Sequence, residues 1–262
     1  MGAGHVPQAD QHPVLATRDL TIRFGGHVAV NAVSCAFAAG TLTAIVGPNG
    51  AGKTTYFNLI SGQLKASSGQ VFLYGEDVTR KPAAERTRAG MGRAFQLTNL
   101  FPNLTVHENV RLAVQSQART GADLWSLWSN HRSLIEKADH YLAEVALYDR
   151  RDAVAASLSH GDKRKLEVGI MMALEPEVFM FDEPTAGMSV DEVPVILDLV
   201  QRLKARGDKT ILLVEHKMDV VRSLADRIIV LHNGTLVADG EPAAVIASPI
   251  VQEAYLGVPA NG

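Results

Sequence analysis

The stretch Gly47-Pro48-Asn49-Gly50-Ala51-Gly52-Lys53-Thr54 constrains this chain more than any other. It fits the pattern G-x-x-x-x-G-K-[ST] and stands where that pattern has physical meaning. The apolar run Thr41–Val46 precedes it, and a helix-forming stretch, Thr54–Leu64, follows. A buried strand, a glycine turn and a helix N-terminus in that order aim successive backbone N–H groups at one point. The helix dipole adds favourable potential for an anion there. The sequence therefore predicts an α/β fold with a phosphate-binding loop. Gly47, Pro48, Asn49, Gly50, Ala51, Gly52 and Thr55 are expected around the phosphates of ATP. Lys53 is expected to reach the β- and γ-phosphates, and the Thr54 hydroxyl to ligate Mg²⁺.

Two more segments deliver polar groups to the same place. Val178–Phe181 and Thr210–Val214 are continuous apolar runs, as expected of parallel strands covered on both faces. Asp182 ends the first run and Glu183 follows it, at the sheet edge where such folds bind ligands. Asp182 is expected to hold Mg²⁺ through coordinated water. Glu183 is expected to accept a proton from the attacking water. Taken alone, Asp-Glu before Pro184 is also the composition of a solvated turn; beside a phosphate loop the catalytic reading is preferred. His216 follows Thr210–Val214 and Glu215, which puts it where a γ-phosphate contact is needed. Gln96 follows the strand Met91–Phe95 and reaches the same edge, as a second metal or nucleotide ligand.

The rest of the chain sets the architecture. Val14 to Phe37 alternates apolar and polar residues, the pattern of antiparallel strands with one buried face. Gly25-Gly26 and Ala39-Gly40 supply turns, and Gln70–Tyr74 is a further strand. From Val106 to Arg151 apolar residues recur at helical spacing, among them Ile135, Ala138, Tyr141, Leu142 and Val145. Arg227–Leu231, His232-Asn233-Gly234 and Thr235–Asp239 form a hairpin, and short helices begin near Pro242 and Pro249. The expected fold is a mostly parallel sheet with an antiparallel β subdomain and an inserted helical subdomain, about residues 99–173. Met1–Pro13 and residues 258–262 are expected to be flexible tails around one domain, residues 14–257.

Charge and composition exclude other classes. A formal net charge of −3 lacks the basic excess of a nucleic-acid partner. No apolar run approaches the roughly 18–20 residues that cross a membrane, and the N-terminus has no apolar leader segment. With one cysteine, Cys35, no intramolecular disulfide forms. The protein is expected in the cytoplasm, tied to a membrane only through partners.

The phosphate loop, Gln96, Leu158-Ser159-His160-Gly161-Asp162, Asp182-Glu183 and His216 occur in the order and spacing of ABC (ATP-binding cassette) ATPases. The chain resembles that family over roughly Val14 to Gly257. The resemblance implies a head-to-tail dimer in which Ser159 and Gly161 of one subunit contact the γ-phosphate bound by the other. Ser159 followed by Asp162 before an apolar helix is also a capping pattern, and both readings hold together because such a helix end binds anions. Phe24, 23 residues before Gly47, matches an aromatic that stacks on adenine; its alternating surroundings leave a core role open. Three positions depart from the family pattern: His160 and Asp162 replace Gly and Gln, and Ser189 replaces an aspartate of the dimer-contacting loop.

Within the family, the chain resembles the ATP-binding subunits of branched-chain amino-acid importers. The stretches that carry this are Phe24-Gly25-Gly26, Arg93-Ala94-Phe95-Gln96, Asn99-Leu100-Phe101, Leu104–Val110, Asp182–Met188, Val214–Met218 and Ala254-Tyr255-Leu256-Gly257. Such a subunit drives transmembrane permease partners and pairs with a second ATPase subunit, a heterodimer being favoured over a homodimer. His160 also resembles the urea and amide branch, and the Tyr-Leu-Gly ending recurs in lipopolysaccharide-export ATPases. A soluble non-transport ABC protein would be betrayed by two cassettes or a long coiled coil, neither of which this chain has. A P-loop kinase would lack the signature stretch and His216. A non-catalytic cassette fits the three departures, but Lys53, Asp182, Glu183 and His216 argue against it.

Overall fold

Along the central strands, apolar side chains alternate between two faces, and both faces are covered. In the computed structural model, which describes residues 13–94, 100–118, 132–188 and 190–256, β7 (Val178–Asp182) and β8 (Thr210–Val214) are buried at every position. Phe179, Phe181, Ile211 and Leu213 pack into one core, while Val178, Met180, Leu212 and Val214 pack into another. This is why both runs read as unbroken apolar stretches: a strand with protein on both faces has no solvated side.

These strands belong to a six-stranded sheet of order β10-β9-β3-β8-β7-β6. Its other members are β3 (Leu42–Val46), β6 (Met91–Ala94), β9 (Arg227–His232) and β10 (Thr235–Gly240). The pairs of β3 with β8 and β9, of β7 with β8, and of β6 with β7 are parallel. Only β10 runs antiparallel, against β9. The carboxyl ends of β3, β7 and β8 therefore meet at one edge.

A second, antiparallel sheet has the order β2-β1-β4-β5, from β1 (Leu15–Phe24), β2 (His27–Phe37), β4 (Ser68–Leu73) and β5 (Glu76–Asp77). It packs with α1 (Lys53–Ser61) and the Val178/Met180/Leu212 face of the main sheet in one core. Between β6 and β7 the chain builds α3 (Val106–Gln117), α4 (Arg132–Glu144) and α5 (His160–Ala173). Val110, Val114, Leu142, Leu166 and Met171 join Phe179 and Phe181 beneath them. Helix α3 opens with a capping box: the Thr105 hydroxyl accepts from the Glu108 N–H at 3.1 Å, and Glu108 Oε2 accepts from the Thr105 N–H at 2.8 Å. The spacing Thr-x-x-Glu carries that signal in the sequence.

Several boundaries differ from the sequence expectation. The strand expected over Gln70–Tyr74 is Ser68–Leu73, and the strand expected over Thr41–Val46 begins at Leu42. The helix expected over Thr54–Leu64 starts at Lys53 and stops at Ser61. Gly62 ends it in a left-handed conformation with φ +79°. Arg86, on α2 (Ala83–Arg88), then closes that end from outside. Its Nη1 donates to the carbonyls of Leu59 at 2.8 Å and Ile60 at 2.6 Å, and its Nη2 and Nε donate to those of Thr79 and Lys81. A cation at a helix C-terminus faces the negative end of its dipole. The chain ends in α6 (Val193–Ala205), α7 (Met218–Leu224), α8 (Pro242–Ile246) and α9 (Pro249–Leu256). Among the described residues no helix is long and apolar enough to cross a membrane.

Candidate functional site

The loop between β3 and α1 is shaped by close backbone approaches. A Cβ on Gly47 would lie 2.1 Å from the carbonyl oxygen of Leu231, and one on Gly52 would lie 2.5 Å from that of Ala29. Gly52, at φ +95°, is also the N-cap of α1, so no other residue fits there on either count. The loop is pinned from the side: the Gly234 N–H donates to the Ala51 carbonyl at 3.0 Å, and the Asn31 N–H to the Gly234 carbonyl at 2.8 Å. Lys53 is the first residue of the helix and is buried. Its Nζ donates to the carbonyl oxygens of Gly47 at 2.7 Å and Pro48 at 3.0 Å. Burial pushes its pKa down, and the carboxylates of Glu183 and Asp182 push it back up. A buried ammonium resting on carbonyls gains when an anion replaces them.

Asp182 closes β7, paired in register with Val214, and its carboxylate is buried. Burial raises its pKa, the neighbouring Glu183 raises it further, and Arg93 lowers it. Arg93 Nη2 lies 3.1 Å from Asp182 Oδ2. Glu183 follows with φ +49°, and its N–H donates to the Val214 carbonyl at 2.9 Å. A left-handed residue with a Cβ costs about 1–2 kcal/mol. That strain turns the chain out of the sheet directly after Asp182 and leaves the Glu183 side chain 40% exposed.

His216 reaches the same edge from β8. Its Nδ1 lies 3.9 Å from Glu183 Oε1 and 3.4 Å from Glu215 Oε2. Glu215 itself is fully buried. It accepts from the Thr185 hydroxyl at 2.7 Å and from the His216 N–H at 2.7 Å. The edge therefore gathers a cation at the start of α1, three carboxylates and an imidazole beside the ends of β7 and β8.

Ser159 and Gly161 head α5, a separate helix. The Ser159 hydroxyl accepts from the Asp162 N–H at 3.1 Å, which realises its capping role. Asp162 turns its carboxylate to Arg150 at 3.1 Å and Lys165 at 3.0 Å, so its departure from the family pattern is neutralised locally. His160 lies beside Gly187, where a Cβ would come within 3.5 Å of its Nε2. Glu192 covers Gly161: a Cβ there would lie 1.9 Å from Glu192 Oε1. Phe24 ends β1 and is 51% exposed, which removes the core role that its alternating pattern left open. Gln96 and Ser189 lie outside the described residues, as do residues 1–12 and 257–262.

Sequence reasoning gave no role to Arg93, Glu215 or Glu192. Glu215 had a signal, a carboxylate on the end of a fully apolar strand. Arg93 and Glu192 had none, because their partners are distant in sequence. The fit of the site to a magnesium nucleotide follows from its donors. The Thr54 hydroxyl and Asp182 carboxylate are oxygen ligands of the kind a hard cation takes, beside a glycine-lined loop with a buried lysine.

The ABC transporter family matches residues 30–186. The chain is 36% identical to the high-affinity branched-chain amino acid transport ATP-binding protein LivG of Escherichia coli, over 94% of this chain and 98% of that protein. It is equally similar to BraF of Pseudomonas aeruginosa, a protein of the same description, with the same coverage. The probable LivG of Archaeoglobus fulgidus is 35% identical over 93% of this chain and 95% of that one. Among solved structures, the ADP conformation of an ATP-binding cassette of an ABC transporter superposes with a TM-score of 0.79 at 32% identity. That match covers 94% of this chain and 99% of the other. A subunit of the cbiONQ ABC transporter complex of Clostridium perfringens superposes with a TM-score of 0.75 at 26% identity, over 91% and 92% of the two chains. With its phosphate loop, its carboxylates on one sheet edge and this kinship along nearly its whole length, the chain belongs to the ABC transporter family as a nucleotide-binding ATPase cassette.

Proposed function

We propose that this chain is the ATP-hydrolysing subunit of an importer for branched-chain amino acids or a related small polar solute. It acts on the cytoplasmic face of the membrane and drives transmembrane permease partners. One observation carries the hydrolytic part: Lys53, Asp182, Glu183 and His216 meet at one edge of one sheet, with Glu183 Oε1 3.9 Å from His216 Nδ1. The uptake part is supported by kinship with LivG and BraF, whose names state branched-chain amino acid transport.

Each residue has a physical task. Lys53 leaves the Gly47 and Pro48 carbonyls for the phosphates, and the loop 47–55 donates backbone N–H groups to them. Thr54 and Asp182 hold Mg²⁺, with Gln96 as a further ligand by family resemblance. Mg²⁺, when bound, neutralises charge on the β- and γ-phosphate oxygens. Glu183 takes the proton of the attacking water, His216 donates to the γ-phosphate, and Phe24 stacks on adenine. Ser159 and Gly161 face the ATP of a second ATPase subunit, with a heterodimer favoured. Residues 14–257 form the cassette with a helical insertion over residues 99–173, and Gln96 with the part of the insertion at roughly residues 99–149 docks on the permease.

Purified protein with a Lys53→Ala variant tests the site. The variant should lose at least about tenfold in ATP affinity while unfolding at nearly the wild-type temperature. Affinity within about twofold of wild type would sink the phosphate-loop assignment. Uptake of radiolabelled leucine by vesicles holding the cognate permease tests the solute. Vesicles that hydrolyse ATP but import only a different solute would overturn the substrate and leave the ATPase standing.

A further inference from the structure

Among the described residues Arg93 is the basic side chain hydrogen-bonded to Asp182, and it reaches that carboxylate from the neighbouring strand. It lies on β6 opposite Met180, two residues short of Asp182 on β7. Extending along the strand, its Nη2 meets Asp182 Oδ2 at 3.1 Å while its Nη1 donates to the Ser61 hydroxyl at 2.7 Å. The guanidinium lies over the Phe57 ring, 4.9 Å from its centre. Ser61 and Phe57 both belong to α1, the helix that the phosphate loop opens. One planar group thus joins β6, β7 and α1, with the arginine and aspartate side chains only 9% and 5% exposed.

A buried ion pair is weak grounds for stability, because desolvation of both charges offsets their attraction. Its physical virtue is geometric. A guanidinium fork fixes the direction of a carboxylate in a way a lysine ammonium does not. The other nearby cation, Lys53, spends its Nζ on the loop carbonyls. The orientation of Asp182 is therefore set by Arg93, and Arg93 in turn by Ser61 and Phe57.

We propose that Arg93 is a positioning residue that holds the Asp182 carboxylate in the direction required for the magnesium nucleotide, and so sets how much Mg²⁺ strengthens nucleotide binding. The idea rests on the functional reading above, in which Asp182 serves the metal. Affinity carries the test, with no turnover required. A fluorescent ADP analogue is titrated into wild type, Arg93→Met, Arg93→Lys and Ser61→Ala, each with Mg²⁺ and with EDTA. Arg93→Met should lower the ratio of the two affinities by about fivefold or more while its affinity in EDTA stays within about twofold of wild type. Arg93→Lys should recover only part of the ratio, since it restores charge without the fork. Ser61→Ala, which removes one anchor and no charge, should lower the ratio by about twofold and guards against a misfolded Arg93→Met. An unchanged ratio in both Arg93→Met and Ser61→Ala, or an equal fall with and without Mg²⁺, would overturn the proposal and leave the ATPase reading intact. A wild type that binds no nucleotide would overturn both.

Discussion

The Thr185 hydroxyl donates to the fully buried Glu215 carboxylate at 2.7 Å, joining the loop that leaves β7 to the residue that precedes His216. The same carboxylate accepts from the His216 N–H through its other oxygen. Substitution separates charge from shape here. Glu215→Gln keeps the size and an acceptor but loses the anion beside His216. Its kcat for ATP should fall by about tenfold, or about 1.4 kcal/mol of barrier, with KM within about twofold. Glu215→Ala should instead lower the melting temperature, because it strands a buried hydroxyl and an N–H at about 1–3 kcal/mol. Steady-state kinetics and thermal unfolding of both variants check this. A Glu215→Gln enzyme with wild-type kcat would remove the charge of Glu215 from the site's chemistry.

Glu183→Gln should bind MgATP and hydrolyse it at least about 100-fold more slowly, because an amide cannot act as the base. ATP retained between Lys53 of one subunit and Ser159 of the other should then hold two subunits together. Light scattering should report a dimer with MgATP, with the partner ATPase added if the natural pair is heteromeric, and a monomer with ADP. Rapid phosphate release by the variant removes Glu183 from the catalytic role. A monomer with ATP and partner present refutes the sandwich.

Gly161 packs against Glu192 of its own chain, and the proposed sandwich adds a contact with the nucleotide of a second subunit. It lies in α5 without a positive φ, and the atom nearest a Cβ there is the flexible Glu192 carboxylate. Gly161→Ala should therefore change monomer stability by less than about 1 kcal/mol, the smaller backbone entropy of alanine being set against displacement of Glu192. In the Glu183→Gln background it should weaken ATP-dependent dimerisation, if Gly161 meets a second subunit's nucleotide as proposed. Unfolding curves and sedimentation together decide. A dimer as tight as the parent's would assign Gly161 no part in contact with the second subunit.

Arg86 carries a structural prediction. It donates to four backbone carbonyls at the end of α1 and around Thr79, and burial pulls its pKa down to about 10, against an opposing pull from Asp77. Arg86→Met fills similar space and leaves those carbonyls unpaired. It should cost about 2–4 kcal/mol in urea unfolding. A loss under about 0.5 kcal/mol, the level of an ordinary surface change, would mean that water replaces the guanidinium at no cost.

The sequence by itself determined the loop, the parallel strands and the edge where they end, because each is written in contiguous residues. Gly47–Thr54 encodes a turn whose backbone admits no side chain at Gly47 or Gly52. Val178–Phe181 and Thr210–Val214 encode strands buried on both faces, and the next residue of each reaches the edge by the geometry of a strand. Helix and strand ends slipped by one to three residues, since packing and Gly62 set them. Tertiary structure alone decided which side chains stand behind that edge. Arg93 and Asp182 are 89 residues apart, and Thr185 and Glu215 are 30 apart. Nothing local selects such partners. They are chosen by the register of β6 on β7 and of β7 on β8, which the buried faces of the whole sheet fix together.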